Sequence, residues 1–546
     1  MTDVQVFYRR YQMFYKLLAI VLLFVATACG NRRGAGSPQG QADTPEVSTC
    51  ADSAIAVTAV IGETLTALPD SAMPSARVVR YTVERFDTVA SGELSGLDDL
   101  YASAPGAFTF RKGIRRDADF GGKIKGTPSD IVVDWSFKTP VDDRETKYGR
   151  WGGGTGWTGQ PLYVEWPDSV WREFSARNLI CRGASSREII VGTLASTVCF
   201  IDFESGKASR PAVEVLNPVK GTVSLDPTLN GNLYVGLGIP AERPFGARVV
   251  DLYDAAVTYV HPDDPNALRR WDAYDSSPLR VGQFLFWPGE NGTIYKFTIA
   301  PGRLRPHSAL RYTVNGAAPG VENSMAVYLN YGYFGDNHGN LLCVNLETLK
   351  PIWRCFVGDD IDATPMVTVE GGTAYVYAAC EVDRQVDGMA SLVKVDALSG
   401  RELWRSQIAA TRADIDGKHF DGGYYGSPLA GTADCAHMVF ANCVLNQEDK
   451  QNGVFVAFDR ETGHELYRTP LRRYAWSSPV GFVSDTGKMY VLTGDCAGNI
   501  YLIDGHSGEI IVRKAIGSNF ESSPVVIGNS VVVGSRGDTI YRLSVV

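Results

Sequence analysis

The sequence predicts an all-β fold, an eight-bladed β-propeller with seven blades as the alternative, closed by a strand from the N-terminal side. Three observations predict it. A short signature leading into a strand recurs at Gln160-Pro161, Asp226-Pro227, Ser277-Pro278, Ser324-Met325, Thr364-Pro365, Ser427-Pro428, Ser478-Pro479 and Ser523-Pro524. Its steps of 40 to 66 residues suit four-stranded blades with loops of variable length. Inside the units, D-x-x-[ST]-G turns follow strands of alternating apolar residues. Finally, 57 Gly, 25 Tyr, 23 Phe and 10 Trp in 546 residues suit many turns between aromatic strands, and suit helical bundles poorly.

The chain begins with Arg9, Arg10 and Lys16 ahead of an apolar run from Leu17 to Ala28. As a helix this run reaches only about 18 Å, too short for a hydrocarbon core of roughly 30 Å, so residues 1–28 are expected to be an export signal. The run ends Val25-Ala-Thr-Ala-Cys29-Gly30, similar to the lipobox of bacterial lipoproteins although Ala26 stands where Leu is preferred. That likeness implies lipidation at Cys29 and an anchor that does not span the bilayer. Residues 29–48 form a Gly-, Ser-, Gln- and Pro-rich tether. Residues 49–107 form an extension without a clear period, containing a strand-like stretch Ala76–Val83 and a short helical one around Leu97–Tyr101. The propeller is expected over 108–546.

Four turns match the D-x-x-[ST]-G pattern: Asp202 to Gly206, Asp396 to Gly400, Asp459 to Gly463 and Asp504 to Gly508, with Asn345-Leu-Glu-Thr-Leu349 a looser copy. The Asp accepts backbone N–H groups across the hairpin, and the Gly supplies the left-handed exit. Trp353, Trp404 and Tyr467 stand four residues beyond the last turn position, where a flat ring on the outer strand can wedge against the next blade and bury about 150–250 Å². The last unit stops after Gly537-Asp-Thr-Ile-Tyr-Arg-Leu and lacks such a strand, whereas Val132-Val-Asp-Trp135-Ser-Phe is one without its own blade. Pairing the two closes the ring and removes both open edges.

These turns and aromatics resemble the pyrroloquinoline-quinone-like β-propeller repeat, roughly G-x-L-Y-A-x-D-x-x-T-G-x-x-x-W. Asn340–Trp353 and Gly498–Gly508 match it best, and Phe108-Thr-Phe-Arg-Lys-Gly with Ile131–Lys138 is similar to the segment leading into that fold. The resemblance covers about 108–546. Alcohol dehydrogenases of this family bind the quinone with calcium, a catalytic Asp and a disulfide between adjacent cysteines. No two cysteines are adjacent in this chain. The lipobox, tether and blade number look instead like the BamB-type lipoproteins of outer-membrane β-barrel assembly. That resemblance implies a non-enzymatic scaffold binding envelope protein partners, with no cofactor. Gly30, rather than Asp, after the acylated Cys implies the outer membrane, and Arg32 and Arg33 favour its periplasmic face.

Chemistry-bearing patterns are sparse. A net charge of −9 and pI near 5.4 argue against nucleic acid as partner. The seven His show no ligand spacing, no CxxC or G-x-S-x-G occurs, and neither a metal nor a catalytic residue is expected. The acidic turns Gly335–Asn340 and Gly494–Asn499 offer too few carboxylates for a calcium cage. Arg536-Gly537-Asp538 falls where the repeat needs a hairpin. Setting Cys29 aside leaves nine of ten cysteines, an odd number; Cys343 with Cys355 and Cys435 with Cys443 are candidate disulfides or buried thiols. The best local candidate for a ligand or partner loop is Tyr148–Pro161, where four Gly separate Trp151 from Trp157. Its rings either face the channel mouth, where stacking would suit a carbohydrate or small ligand, or pack in the core.

Overall fold

The computed structural model describes residues 58–65, 78–86, 94, 99–415, 418–447 and 451–546. Cys29, the export signal and the tether lie outside them. Eight sheets stand around one axis. Their innermost strands are Leu162–Glu165, Ser224–Leu225, Leu279–Val281, Ala326–Tyr328, Met366–Glu370, Leu429–Ala430, Val480–Ser484 and Val525–Ile527, which we number blades 1 to 8. The seven-bladed alternative therefore falls. Seven of the eight signatures end one residue before an inner strand. Asp226-Pro227 instead follows the inner strand of blade 2, and Asp226 pairs with Arg280 of blade 3.

The residue before the Pro has a circumferential job. The Ser277 N–H donates to Ser324 Oγ, Ser324 N–H to Thr364 Oγ1, Ser427 N–H to Ser478 Oγ, and Ser478 N–H to Ser523 Oγ, at 2.8–3.1 Å. A hydroxyl at this position thus links blades 3 to 4, 4 to 5, 6 to 7 and 7 to 8, and a Pro after it brings no N–H to leave unpaired at the axis.

The outer rim has a matching device. In the turns, Oδ1 of Asp202, Asp396, Asp459 and Asp504 accepts the N–H three residues on, at 2.8–2.9 Å. Gly206, Gly400, Gly463 and Gly508 have φ of +68° to +76°, and a Cβ on each would lie 2.5–2.6 Å from the aromatic ring of the preceding blade: Trp135, Trp353, Trp404 and Tyr467 in turn. Those rings also bond the next blade's backbone, Nε1 of Trp135 to Phe203 O, of Trp353 to Ala397 O and of Trp404 to Arg460 O, and Tyr467 Oη to Gly505 O. The aromatic and the glycine are two halves of one interblade contact.

Closure runs through Ile131–Lys138, which pairs antiparallel with Thr539–Val545, placing Trp135 opposite Arg542 and Ser136 opposite Tyr541. The Gly-rich run threads between blades 8 and 1. There Gly154 (φ +74°) leaves no room for a side chain, because a Cβ would lie 2.0 Å from Ser535 O.

The strand-like stretch of the N-terminal extension is a strand, and it extends a blade. Val78–Arg85 adds to the outer strand Arg303–Val314 of blade 3, and Thr58–Leu65 adds beyond it, giving a six-stranded sheet. Asp99–Tyr101 is part of a turn, not a helix, with Asp99 Oδ1 accepting the Tyr101 N–H. A helix the sequence reading missed, Asp168–Ala176, fills the long first step and packs Phe174 on Trp166. The insertions also have structure: Glu381–Val382 pairs with Gly422–Gly423, and Ala413–Ile415 with Lys418–Phe420. The described cysteines, including Cys343, Cys355, Cys435 and Cys443, are free thiols.

The lead-in segment is the largest departure. Phe108 to Asp119 runs through the propeller axis rather than around it. Leu225, Val327 and Val367 N–H groups bond to Phe108, Ile114 and Arg115 carbonyls, so inner strands of blades 2, 4 and 5 pair with the plug. Arg111 and Arg116, both fully buried, donate to carbonyls converging from the blades. Arg111 reaches Pro428 O (2.7 Å) and Pro479 O (3.4 Å); Arg116 reaches Met325 O and Ser277 O (both 2.9 Å) and Phe110 O (2.7 Å). Two rigid guanidinium forks thus satisfy acceptors that water would otherwise have to reach. Past the plug, Lys123–Ile124 pairs in parallel with blade 7.

Candidate functional site

At one axial end the plug turns at Phe110, which lines a mouth together with residues from most blades. Thr158, Asp275, Glu322, Asp362, Tyr425 and Trp476 line it. Each stands three residues before the Pro (or Met325) of its signature. One repeat position therefore supplies the mouth, and it varies freely because the hydroxyl and the Pro beside it do the structural work. The sequence reading named none of these except through Trp157. Aligning the eight signatures and reading three positions upstream would have found them.

The structure divides the two candidate tryptophans. Trp157 lines the mouth; Trp151 does not, and lies half-buried with the Arg536 guanidinium 5.8 Å from its ring. Trp157 and Thr158 have φ of +51° and +54°, left-handed values costly for such residues. Thr158 is pinned there, its N–H bonding to Glu521 O at 3.0 Å. Tyr425 stacks on Trp476 at 4.5 Å and 21°, and Trp157 meets both edge-on, at 6.4 and 5.8 Å. Arg536, of the Arg-Gly-Asp turn, faces inward to Glu521 at 3.7 Å. The turn carboxylates Asp336 and Asp495 are bonded to Asn340 and Asn499 within their own hairpins.

Opposite the aromatics the mouth is acidic. Lys220 pairs with Asp275 and lies 4.2 Å from the Trp157 ring centre. Burial alone would pull its ammonium down, but Asp275, Glu290 and Glu322 outweigh this and hold it above its ordinary value. Burial and then Asp362 push Glu322 up to about 8, and burial pushes Asp362 up to about 6 against a hydrogen bond with Glu381. Asp360, Glu381 and Asp421 are driven well above the carboxylate range, first by burial and then by acidic neighbours. One buried oxygen on each of these three has no hydrogen-bond partner among the described residues.

A pH dependence follows. The folded-state values of Glu322 and Asp362 lie above those of free carboxyls, about 4.3 and 3.9, so the folded form holds more protons over that interval. Their stabilisation is complete below the free values and is lost as pH rises through about 6 for Asp362 and about 8 for Glu322. Melting temperature is expected to rise on acidification from about pH 8 to about pH 5. Asp362→Asn should be the more stable protein at the alkaline end and show a flatter profile, as read by calorimetry across that range.

Comparison with known proteins adds to this geometry. A family model described as outer membrane protein assembly factor BamB matches residues 451–546, from mid-blade 6 onward. BamB of Yersinia pestis is 21% identical over 253 residues, 43% of this chain and 54% of the relative. BamB of Kangiella koreensis is 24% identical over 243 residues, 42% of this chain and 51% of the relative. The chain thus spans about half the length of the curated relatives it matches. Quinohemoprotein alcohol dehydrogenase of Comamonas testosteroni superposes with a TM-score of 0.56 at 13% identity, covering 83% of each chain, a likeness of fold.

The mouth can be tested against the quinone of such dehydrogenases. Tyr425 and Trp476 stack on each other through one face each, and Lys220 lies over one face of Trp157. A planar tricarboxylate would also meet Asp275, Glu322 and Asp362 at close range. These residues do not fit the quinone. The radial sheets and interblade aromatics together identify the chain as an eight-bladed β-propeller, and its C-terminal blades are similar to BamB.

Proposed function

We propose that this protein is a non-enzymatic propeller scaffold of the bacterial cell envelope, anchored through lipid on Cys29 at the periplasmic face of the outer membrane. In this reading its partner is a protein of outer membrane protein assembly, docked at the axial mouth. The observation that carries the reading is the composition of the mouth: carboxyls from blades 3, 4 and 5 facing aromatics from blades 6 and 7. Lys220 against Asp275 and Trp157 illustrates what such a surface accepts, an ammonium or guanidinium held by charge on one side and a ring on the other. The partner is therefore expected to present a basic segment, with affinity concentrated in a few anchors. The relatives are named outer membrane protein assembly factors, and this supports the choice of partner class.

The test is site-specific photocrosslinking in intact envelopes from position 425. An adduct with an assembly component, lost when Asp362 is replaced by Lys, is the expected result. An adduct unchanged by that charge reversal, or none with any assembly component, contradicts the reading. The Trp157–Tyr425–Trp476 cluster also favours a second reading, a carbohydrate or small cationic ligand stacked at the mouth. Glycan binding abolished by Trp157→Ala, with no protein adduct, would select it.

A further inference from the structure

Where the first turn of blade 6 meets a hairpin of blade 7, the fold gathers a mixed set of metal-binding side chains. Asp434 and Cys435 sit in a 3₁₀ turn, Ala433–Cys435, between the inner strand of blade 6 and Met438–Val444. His506 belongs to the hairpin between Asn499–Asp504 and Ile510–Ala515 of blade 7. Ligand atoms of Asp434, Cys435 and His506 all lie within 4.8 Å of one another. His437 stands next to them, its ring centre 6.5 Å from that of His506.

We propose that Asp434, Cys435 and His506, with His437 as the fourth ligand, form a site for a divalent transition ion of the zinc type that clamps blade 6 to blade 7.

Several independent features support this. The two turns are joined through Met489, whose N–H donates to the Asp434 carboxylate (Oδ1, 2.7 Å) and whose carbonyl accepts the Gly505 N–H at 2.9 Å. Gly505 is what lets the hairpin close over the thiol, since a Cβ there would lie 3.1 Å from Cys435 Sγ. Cys435 is fully buried while Asp434, His437 and His506 are exposed, so one ligand is fixed in the protein and the others can swing. A tetrahedral ion with bonds of about 2.0–2.3 Å needs ligand atoms roughly 3.3–3.8 Å apart, so the three atoms now within 4.8 Å must draw together by up to about 1.5 Å and the exposed His437 must swing in. One sulfur, two imidazole nitrogens and one carboxylate oxygen suit zinc or a neighbouring first-row ion and suit calcium or magnesium poorly. Binding requires the thiolate, so the Cys435 proton is released to solvent as the metal–sulfur bond forms. Asp504, next to the hairpin, adds negative charge that a cation neutralises.

The test uses the full chain, purified without a polyhistidine tag and stripped of metal, titrated with cobalt(II) and then zinc. One equivalent should bind, with a sulfur-to-cobalt charge-transfer band in the near ultraviolet that zinc abolishes. Zinc should raise the melting midpoint by mass action. Cys435→Ser should lose the band. Because that position is buried, the exposed His506→Ala is the deciding variant: its metal-free midpoint should match the wild type, while its zinc affinity falls at least about tenfold, as even outer-shell losses cost that much. A wild type that binds no stoichiometric ion, a cobalt spectrum without the sulfur band, or zinc binding undiminished in His506→Ala overturns the proposal.

Discussion

Replacing Arg116 by methionine is expected to destabilise the propeller by about 3–5 kcal/mol, measured by chemical denaturation. The guanidinium is fully buried and ties three carbonyls, of Phe110, Ser277 and Met325, and the Thr109 hydroxyl. Methionine fills much of the volume but donates nothing. Each orphaned buried acceptor costs about 1–3 kcal/mol, partly recovered by relaxation and by no longer burying a charge. Lysine should rescue only part of the loss, because a single ammonium cannot reproduce the planar fork that meets blades 3 and 4 together. An Arg116→Met protein as stable as the wild type would mean that the axial segment is a passenger.

The second large effect is expected at the rim. Gly463→Ala places a methyl 2.6 Å from the Trp404 ring on a backbone with φ of +73°. The left-handed conformation alone costs about 1–2 kcal/mol for a residue with Cβ, and the ring must also shift. Trp404→Ala removes the ring and its bond to Arg460 O, at about 3–5 kcal/mol. The double variant should lose less than the sum by about 0.5–3 kcal/mol, because the clash vanishes once the ring is gone while the backbone strain remains. Strict additivity would show that the aromatic and the glycine do not form one contact.

Much of this architecture is legible in sequence because each blade repeats the same local problem. Ser-Pro and Thr-Pro mark most of the inner strands, where the hydroxyl serves a neighbouring blade and the Pro leaves no spare N–H at the axis. The Asp and Gly of the turn and the aromatic of the next unit repeat because each blade must meet another. What is not repeated is not legible. The axial plug, Phe108 to Asp119, has no periodicity, because its backbone meets the inner strands of blades 2, 4 and 5 one bond at a time, while Arg111 and Arg116 reach carbonyls of blades 3, 4, 6 and 7 through their side chains. Val78–Arg85 reads as a strand, but nothing in it names the outer edge of blade 3 as its partner. The mouth was half legible: Trp157 stood out beside its glycines, whereas Asp275, Glu322 and Asp362 occupy the one repeat position free to change. The cluster of Asp434, Cys435 and His506 joins segments about seventy residues apart in sequence, so spacing carries no trace of it.

The closing strand is the feature on which ring, plug and mouth all depend, and one crosslink tests it directly. Val132 and Ser544 are cross-strand partners in the seam, with Val132 exposed at the surface. Cysteines at both positions should oxidise to a disulfide, identified by peptide mass as joining 132 to 544, with the melting temperature maintained or raised. Two thiols that stay unpaired under oxidising conditions in a folded protein would contradict closure of blade 8 by Ile131–Lys138.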